Sequence, residues 1–403
     1  MWRKQETSLL EKNYAELKAQ LAKEPKDVSL REQIANCCLN LRRFNEAEEY
    51  YKELMTEFSG KAKYYYHLGK VYCAQERWDE AIENCDKALE RWSEFQWAKM
   101  EKAKCLLGKK ETEPAYVLLI EIEALLSNLE KDRVLALNVY RALYGLRVER
   151  NDSRGALSAL SKLAELEPED GFTFYRMGKL HLELKEYEKA LNDFQVSDPL
   201  LRKSYVKDKI AIALTFLGRE DEALDVYKNI PPSQMDDYVH QHYGRLLLKR
   251  GDYEPAKEQL KRAIVKKGMS KFNAHFFLAQ VFEKLGKYRN AKREYERAKE
   301  LRQKEFAVDF PQADDRIRFI DQNFVLDEAE VFEEYSNRLQ GRIMKFISDR
   351  GFGFIKYGKS EDVFMHVKAC KYGDPKVNDI VTFEIVQGRK GLEAANVELV
   401  RRS

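Results

Sequence analysis

Residues 64–90 read YYYHLGKVYCAQERWDEAIENCDKALE. Two small residues twelve positions apart, Gly69 and Ala81, stand within this stretch, and Ala81 follows Trp78 in the pattern aromatic-x-x-Ala. Small residues at two fixed points are what two closely crossing antiparallel helices need, because a bulky side chain at the crossing holds the backbones apart. The stretch therefore predicts a pair of antiparallel helices.

The same two positions recur along most of the chain. Eight alanines follow one another at spacings of 34, 34, 41, 34, 33, 33 and 35 residues. They are Ala47, Ala81, Ala115, Ala156, Ala190, Ala223, Ala256 and Ala291. Twelve residues before them stand Ala35, Gly69, Ala103, Tyr144, Gly178, Ala211, Gly244 and Ala279, of which seven are small. A period held through eight units predicts stacked helix pairs, each packing against its neighbours.

This periodicity resembles the tetratricopeptide repeat over roughly residues 28–305. The opening stretch follows the family pattern with Gly69, Tyr72, Trp78, Ala81 and Ala88 in place. The resemblance implies an all-α superhelical solenoid of about eight repeats. We expect an irregularity near residues 108–135, where seven extra residues separate the third and fourth units, and a capping helix within residues 1–27.

Tetratricopeptide arrays usually bind a partner on the wall formed by the first helix of each unit. The family's inward-facing positions fall here on Tyr66, Lys70, Trp97, Tyr175, Lys179, Tyr238, Arg245 and Phe276. An aromatic and basic groove suits a protein or peptide partner that is acidic or contains aromatic residues, and it also suits RNA. For any single ring, packing between neighbouring helices is an equally good interpretation.

An acidic connector, residues 306–338, follows the repeats. It holds eight carboxylates and two arginines between positions 314 and 335. Its apolar positions predict helices that cap the end of the solenoid, and they are Ile317, Ile320, Phe324, Val325, Val331 and Phe332. A further hypothesis is that the carboxylates lie against the basic C-terminal segment and compete with its ligand.

Residues 350–367, RGFGFIKYGKSEDVFMHV, place aromatic residues at alternate positions. Side chains two apart share one face of a strand, so Phe352 projects with Phe354, and Phe364 with His366. Turn residues divide residues 339–403 into five predicted strands of a small antiparallel barrel. These strands are QGRIMKFI, GFGFIKY, EDVFMHV, DIVTFEIVQG and GLEAANVELV.

This segment resembles a cold-shock domain, a five-stranded OB-type barrel. RGFGFI at 350–355 resembles the family's first ribonucleoprotein motif, VFMHV at 363–367 its second, and GLEAANV at 391–397 its last strand. The fold class implied for the chain is multidomain, an all-α tetratricopeptide solenoid followed by a small all-β barrel.

By this resemblance the barrel binds single-stranded RNA or DNA. The implied base-stacking residues are Phe352, Phe354, Phe364 and His366, and the implied phosphate contacts are Arg350, Lys356 and Lys368. Lys345 stands where the family usually has tryptophan, and Tyr372 is a candidate replacement for a loop aromatic; we include both in the site. The opposite, buried face is assigned to Ile355, Val363, Met365 and Val367.

Charge and cysteine content narrow the function classes. Residues 340–403 hold twelve Lys and Arg against eight Asp and Glu, whereas the first 339 residues hold 59 against 60, so the basic excess lies in the C-terminal segment. The six cysteines include no CxxC pair, which favours buried thiols over a metal site. The N-terminus has no apolar signal region and no stretch is long enough to span a bilayer, so we expect a cytoplasmic protein without membrane contact.

No catalytic constellation is present in the sequence. It contains no GxxxxGK[ST], no HExxH, no nucleophile elbow and no paired Cys/His spacing. We therefore expect a non-enzymatic protein without cofactor or metal.

Three function hypotheses remain. The first is an adaptor whose barrel binds single-stranded nucleic acid, RNA in preference, while the repeats hold a protein partner. The second is a protein-interaction scaffold whose barrel has a weakened nucleic-acid site. The third is a regulatory subunit of a separate effector enzyme. The sequence does not decide the oligomeric state.

Overall fold

The computed structural model describes residues 2–126, 129, 131–265, 271–326, 330, 339–357, 361–373, 375–388 and 391–402. Within these residues the chain forms eighteen α-helices followed by five β-strands. It divides into two compact units, residues 1–180 and 181–403. The helical repeats followed by a closed barrel confirm the predicted fold class.

The first unit is entirely helical in its described residues. Its helices are α1 Trp2–Lys23, α2 Val28–Asn40, α3 Phe44–Glu57, α4 Ala62–Ala74, α5 Trp78–Arg91, α6 Gln96–Gly108, α7 Thr112–Leu125, α8 Arg133–Glu149 and α9 Ser153–Leu166. Helix α10, Gly171–Glu183, crosses the boundary between the two units.

The second unit contains the remaining helices and the strands. Its helices are α11 Tyr187–Leu201, α12 Ser204–Phe216, α13 Glu220–Lys228, α14 Asp237–Arg250, α15 Tyr253–Val265, α16 Phe272–Lys284, α17 Tyr288–Phe306 and α18 Pro311–Asn323. Each helix from α1 to α9 packs against the next one in the chain, and so does each helix from α11 to α18. The first helices of successive pairs also touch, as α12 touches α14 and α14 touches α16, so they form a shared wall.

The recurrent small residues lie where the helices cross. All eight recurrent alanines are completely buried. A methyl group placed on Gly244 would lie 2.7 Å from Cγ of Leu260, and one placed on Gly69 would lie 3.0 Å from Sγ of Cys85. Tyr144, the exception in the sequence pattern, is half-buried. The predicted close helix crossings are confirmed.

Each turn inside a helix pair holds one residue with a left-handed backbone, five positions before the recurrent alanine. These residues have φ between 57° and 87°, and they are Arg42, Glu76, Lys110, Asn151, Lys185, Gly218, Gly251 and Gly286. Only three of the eight are glycine, although the conformation costs other residues roughly 1–2 kcal/mol. The repeat geometry therefore imposes this backbone even where the residue disfavours it.

The barrel follows the helices. Its strands are β1 Leu339–Ile347, β2 Phe352–Tyr357, β3 Glu361–His366, β4 Ile380–Gly388 and β5 Gly391–Arg401. They close in the order β1-β2-β3-β5-β4, and each predicted strand is present within one or two residues of its expected bounds.

One strand pairing differs from the antiparallel barrel that we expected. β3 and β5 run parallel, with Phe364 opposite Glu393 and Met365 opposite Ala394, while the other pairs are antiparallel. The reason is parity, because five strands in a closed ring cannot alternate in direction all the way round. One parallel pair is the minimum for closure.

The connector packs on α17 in its described part. Helix α18 buries Ala313 and Ile320, and the ring of Phe324 stacks on Tyr288 with centroids 3.6 Å apart. Val325 is 98% exposed and lies after the end of α18, so it is not part of this capping helix. Val331 and Phe332 lie outside the described residues.

Connector carboxylates also bind α17. Asp314 pairs with Lys299 at 2.6 Å and Asp321 pairs with Lys292 at 2.6 Å. The carboxylate of Glu330 accepts hydrogen bonds from the backbone N–H groups of Asn290 at 2.9 Å and Arg289 at 3.2 Å. These three carboxylates thus bind the last repeat helix.

Candidate nucleic-acid interface

The outward face of β1, β2 and β3 carries a three-by-three set of side chains fixed by the strand register. Residues directly opposite each other on neighbouring strands share a face. Read from β1 through β2 to β3, the three rows are Arg342, Lys356 and Asp362; then Lys345, Phe354 and Phe364; then Ile347, Phe352 and His366. Three rings and an imidazole are thereby gathered on one sheet face.

The three phenylalanine rings form one contiguous group. Phe364 lies at its centre, with its ring centroid 5.7 Å from that of Phe352 and 5.9 Å from that of Phe354. Phe354 is 36% exposed, and the other two rings are half-buried. The edge-to-face contact between Phe354 and Phe364 fixes both rings. A flat base can therefore stack on the group without first ordering it.

His366 is exposed at the edge of this group, and its ring is also fixed. Its Nδ1 accepts a hydrogen bond from the backbone N–H of Lys368 at 3.1 Å. In a neutral imidazole the proton then lies on Nε2, on the other side of the ring. His366 consequently offers a hydrogen-bond donor as well as a stacking surface.

A β-bulge aims Lys345 at the rings. The register of β1 against β2 shifts between Ile343, which faces Ile355, and Lys345, which faces Phe354. Ile343 is buried, so strict alternation would bury Lys345 two positions later. The extra residue of the bulge turns Lys345 outward instead, where its side chain is exposed.

The remaining predicted cations surround the rings. Lys356 lies in the same strand as Phe354, and Arg350 and Lys368 follow β1 and β3 directly; all three are exposed. The sequence interpretation missed Arg342, which lies opposite Lys356 on the same face. Its signal was available, because Arg342 alternates with buried Ile343 in β1.

Two carboxylates also border the face. Asp362 lies opposite Lys356, and Glu393 of β5 lies beside Phe364. They reduce the positive potential near the central ring. Their carboxylate oxygens can also accept hydrogen bonds, whereas the Lys and Arg side chains around the rings can only donate them.

The inner face confirms three of the four residues assigned to it. Ile355, Val363 and Met365 are at most 2% exposed, whereas Val367 is 37% exposed. The prediction for Val367 was wrong because β3 ends at His366 and the chain enters a 3-10 turn there. Gly353 also faces inward, where a methyl group would collide with the backbone oxygen of Lys345.

Tyr372 packs against the barrel core from the segment after β3. Its hydroxyl donates to Oδ2 of Asp379 at 3.4 Å, and Asp379 is fully buried. Burial raises the pKa of the Tyr372 hydroxyl, so the group stays protonated and keeps donating. These contacts give Tyr372 a packing role at the barrel end.

The groove residues of the first unit differ in exposure. Tyr66 is 9% exposed and packs edge-on against Phe95, with centroids 5.0 Å apart, while Lys70 lies over its ring at 5.6 Å. Trp97 is 37% exposed. Tyr175 is half-buried and Lys179 is exposed. Tyr66 therefore acts mainly as a packing residue, whereas Trp97 and Lys179 are accessible.

The groove residues of the second unit show the same division. Phe276 packs against Phe310 and Tyr295, with centroids 4.8 and 5.4 Å away. Tyr238 is 47% exposed, and Arg245 is exposed with its guanidinium 5.4 Å from the ring of Phe277. Tyr238 and Arg245 are the accessible members of this set.

One group of possible metal ligands occurs among the described residues. Cys73, Glu101 and Cys105 are buried, and their ligand atoms lie within 4.8 Å of one another. The hydrogen bond with Cys105 and burial raise the pKa of the Cys73 thiol far above its usual range, and Glu101 pairs with Lys104 at 3.1 Å. Cys73 and Cys105 are at most 3% exposed, which agrees with the expectation of buried thiols.

Each helix within the described residues is too short or too polar to span a bilayer.

Sequence comparisons agree with the two kinds of fold. Residues 339–400 match the family model of the 'Cold-shock' DNA-binding domain. Tetratricopeptide-repeat models match residues 28–56, 62–95 and 244–306.

Two individual relatives match the barrel. The chain is 40% identical over 62 residues to the cold shock-like protein CspC of Bacillus cereus, which is 15% of this chain and 95% of that protein. It is 37% identical over 65 residues to a cold shock-like protein of Thermotoga maritima, which is 15% of this chain and 98% of that protein. A solved tetratricopeptide repeat protein from Parabacteroides merdae is 14% identical, covering 67% of this chain and 98% of its own, with a TM-score of 0.40.

Proposed function

We propose that this chain, a tetratricopeptide-repeat protein that belongs to the cold-shock family through its C-terminal domain, is a non-enzymatic adaptor. Its barrel binds single-stranded nucleic acid with little sequence preference, and its helical wall holds a protein or peptide partner. The observation that carries the proposal is the group formed by Phe352, Phe354 and Phe364 on one exposed sheet face. Both folds are binding folds, and binding is the function that two such modules in one chain support.

The physical basis is stacking combined with phosphate neutralisation. Every base has a flat face, and stacking on an aromatic side chain contributes about 1–3 kcal/mol per base. Lys345, Lys356, Arg350 and Lys368 stand around the rings and are exposed. A strand whose bases lie on the rings brings its phosphates to these cations.

We favour RNA over DNA as the ligand. Asp362 and Glu393 lie beside Lys356 and Phe364 and can accept hydrogen bonds. RNA carries a 2′-hydroxyl donor on every sugar, and this group allows a protein to distinguish it from DNA. A pair of acceptors beside the central ring would use that donor.

The cytoplasm is the proposed location. All six cysteines are free thiols, and five of them are buried. Free thiols persist in a reducing compartment.

The test is fluorescence anisotropy of labelled ten-residue oligo-U and oligo-dT, measured with the full chain across a salt series. The variant Phe352→Ala/Phe354→Ala/Phe364→Ala should bind at least about 100-fold more weakly, since three stacking contacts are lost. Val377→Ala, which shortens an exposed apolar side chain outside the two ring-bearing strands β2 and β3, is the matched control. Equal affinity of the triple variant and the control would refute the proposed interface.

A second candidate function is a protein-interaction scaffold. Lys345 occupies a position where the cold-shock family usually stacks a tryptophan, and two carboxylates border the rings. The first feature removes a stacking surface and the second repels phosphates, so both weaken binding of nucleic acid. Absence of binding by the full chain and by residues 338–403 alone would favour this candidate.

A further inference from the structure

A cavity of about 440 Å³ opens on the wall formed by the first helices of three successive pairs in the second unit. Helices α12, α14 and α16 contribute most of its lining, and α13 contributes Tyr227. The principal lining residues are Phe216, Tyr227, His242, Arg245, Leu246 and Phe277. Of these, only Arg245 was expected from the sequence to take part in binding.

The walls of this cavity are apolar. Phe216 is 58% exposed, although its ring is held in place by stacking on Tyr187 with centroids 4.8 Å apart. Leu246, which is 4% exposed, and Phe277 also line the cavity. A large exposed ring beside apolar side chains gains stability when another apolar side chain covers it.

Arg245 supplies the charge at this cavity. Its guanidinium lies 5.4 Å from the ring of Phe277, and among the described residues no carboxylate lies within 4.0 Å of it. The neighbouring cations are already paired, Lys249 with Glu220 at 2.5 Å and Arg250 with Asp221 at 2.6 Å. Within the described part of this helix, Arg245 is therefore the cation available to a ligand carboxylate.

A buried carboxylate fixes the polar side of the cavity. Asp208 is 2% exposed and accepts hydrogen bonds from the hydroxyl of Tyr227 at 3.0 Å and from Nδ1 of His242 at 2.9 Å. Burial raises the pKa of the Tyr227 hydroxyl well above its usual value, so Tyr227 remains a donor. Asp208 is thus internally satisfied, and it holds the His242 ring against the cavity.

We propose that this cavity binds an extended peptide segment in which a large apolar residue stands next to an acidic residue. The apolar side chain enters between Phe216 and Phe277, and the neighbouring carboxylate binds the guanidinium of Arg245 through two parallel hydrogen bonds. The proposal rests on the proposed function, since it specifies the partner class of the helical wall. The cavity volume of about 440 Å³ falls in the range of small-ligand pockets, which is enough for a large side chain and its neighbour.

Nucleic acid fits this cavity less well. A bound strand carries a phosphate at each nucleotide and needs several unpaired cations in a row. Lys249, Arg250 and Lys209 are all paired with carboxylates of the same unit. One available guanidinium beside an apolar recess matches one carboxylate next to one apolar side chain.

The test is selection of a random 12-residue peptide library on the full chain, followed by affinity measurement of the enriched peptides. Enriched sequences should pair a large apolar residue with a neighbouring Asp or Glu. Their affinity should fall about tenfold or more in Arg245→Gln and in Phe216→Ala. Arg250→Gln, which removes a cation of the same helix that is paired with Asp221 and does not line the cavity, is the matched control and should bind as the wild type does.

The outcomes separate this inference from the proposed function. Enriched peptides that bind all variants equally would show a peptide site elsewhere, which overturns the cavity but keeps a protein partner. A library without enrichment would overturn both the cavity and the peptide-binding role of the helices. An oligo-U affinity that falls in Arg245→Gln as much as peptide affinity does would assign the cavity to RNA and overturn the peptide.

Discussion

Phe354 of β2 lies directly opposite Phe364 of β3, and the two rings meet edge to face with centroids 5.9 Å apart. Both rings stand on the outer side of the sheet, while the next residue of β2, Ile355, is completely buried. Adjacent residues of one strand should therefore have separable roles, Phe354 in the proposed binding and Ile355 in stability.

Phe354→Ala should lower oligo-U affinity about five- to 150-fold and change thermal stability little, because the ring is partly exposed. Ile355→Ala should instead cost about 2–5 kcal/mol of barrel stability by leaving a cavity. Anisotropy and thermal denaturation followed by circular dichroism measure the two effects. A barrel destabilised equally by both substitutions would mean that Phe354 is a core residue.

Lys345→Trp should strengthen binding and make it less salt-dependent. The bulge places residue 345 opposite Phe354, so an indole there adds a stacking surface worth about 1–3 kcal/mol while one phosphate contact is lost. The slope of log affinity against log salt should become shallower by about 0.7 for single-stranded DNA. Lys371→Trp is the control, because Lys371 follows β3 and forms an ion pair with Glu398. Weaker binding by Lys345→Trp would show that residue 345 acts as a cation and not as part of the stacking face.

The left-handed turns predict a stabilising substitution. Glu76 is exposed and has φ 60°, so removing its Cβ in Glu76→Gly should raise the free energy of unfolding by about 1 kcal/mol. The greater entropy of glycine in the unfolded chain offsets part of this gain. Gly251→Ala, at φ 87°, should have the opposite effect. Melting temperatures measure both changes. Glu76→Ala keeps the disfavoured Cβ and serves as the control; a gain as large as that of glycine would assign the effect to loss of the Glu76 side chain.

His67 should make stability pH-dependent. Burial, followed by the charge of Lys70, lowers the pKa of His67 from 6.5 to about 4, and its Nδ1 has no hydrogen-bond partner within the described structure. As the pH falls from 6.5 to 4, His67 becomes protonated in the unfolded chain but stays neutral in the folded chain. The free energy of unfolding therefore decreases in this window, by up to about 3 kcal/mol from this group.

The measurement for His67 is urea unfolding at pH 7, 6, 5 and 4 for the wild type and His67→Phe, which keeps a ring stacked on Tyr51. The difference between the two proteins removes the contribution of all other groups. Parallel pH profiles would show that His67 titrates normally in the folded state.

Glu330→Ala should leave oligo-U affinity within about twofold of the wild type. Glu330 accepts hydrogen bonds from two backbone N–H groups at the start of α17, where Lys287 provides no side-chain cap, so its loss should destabilise that helix end by about 1 kcal/mol. Anisotropy and hydrogen exchange at residues 289 and 290 report the two effects. Tighter RNA binding by the variant would instead support the hypothesis that the connector competes with the ligand.

The repeats were predictable because helices that cross closely need a small residue at the crossing, and each repeat has two such positions. The strands were predictable because aromatic residues alternate with aliphatic ones. In a sheet, this pattern places the rings on one face and the aliphatic side chains on the other. What the sequence did not reveal depends on contacts between distant segments. The bulge that exposes Lys345, the pairing of Arg342 with Lys356 and the parallel pair formed by β3 and β5 are set by barrel closure.

The cavity at Arg245 could not be predicted from the sequence, for a related reason. Phe216 and Phe277 are ordinary helix residues in the sequence, and they face a common space only because α12, α14 and α16 stack side by side. Likewise, Phe276 and Tyr66 match inward-facing positions of the repeat pattern, but neighbouring rings cover them. A repeat pattern gives each residue's direction on its own helix, whereas exposure depends on the size of its neighbours.

The parallel pairing of β3 with β5 has a consequence for the order in which the chain becomes functional. Phe364 sits between β2, made shortly before it, and β5, made some thirty residues later. A ribosome synthesises the helical repeats first, and domains fold as units as they emerge. The helices proposed to bind a protein partner are therefore synthesised and folded before the sheet proposed to bind RNA can close.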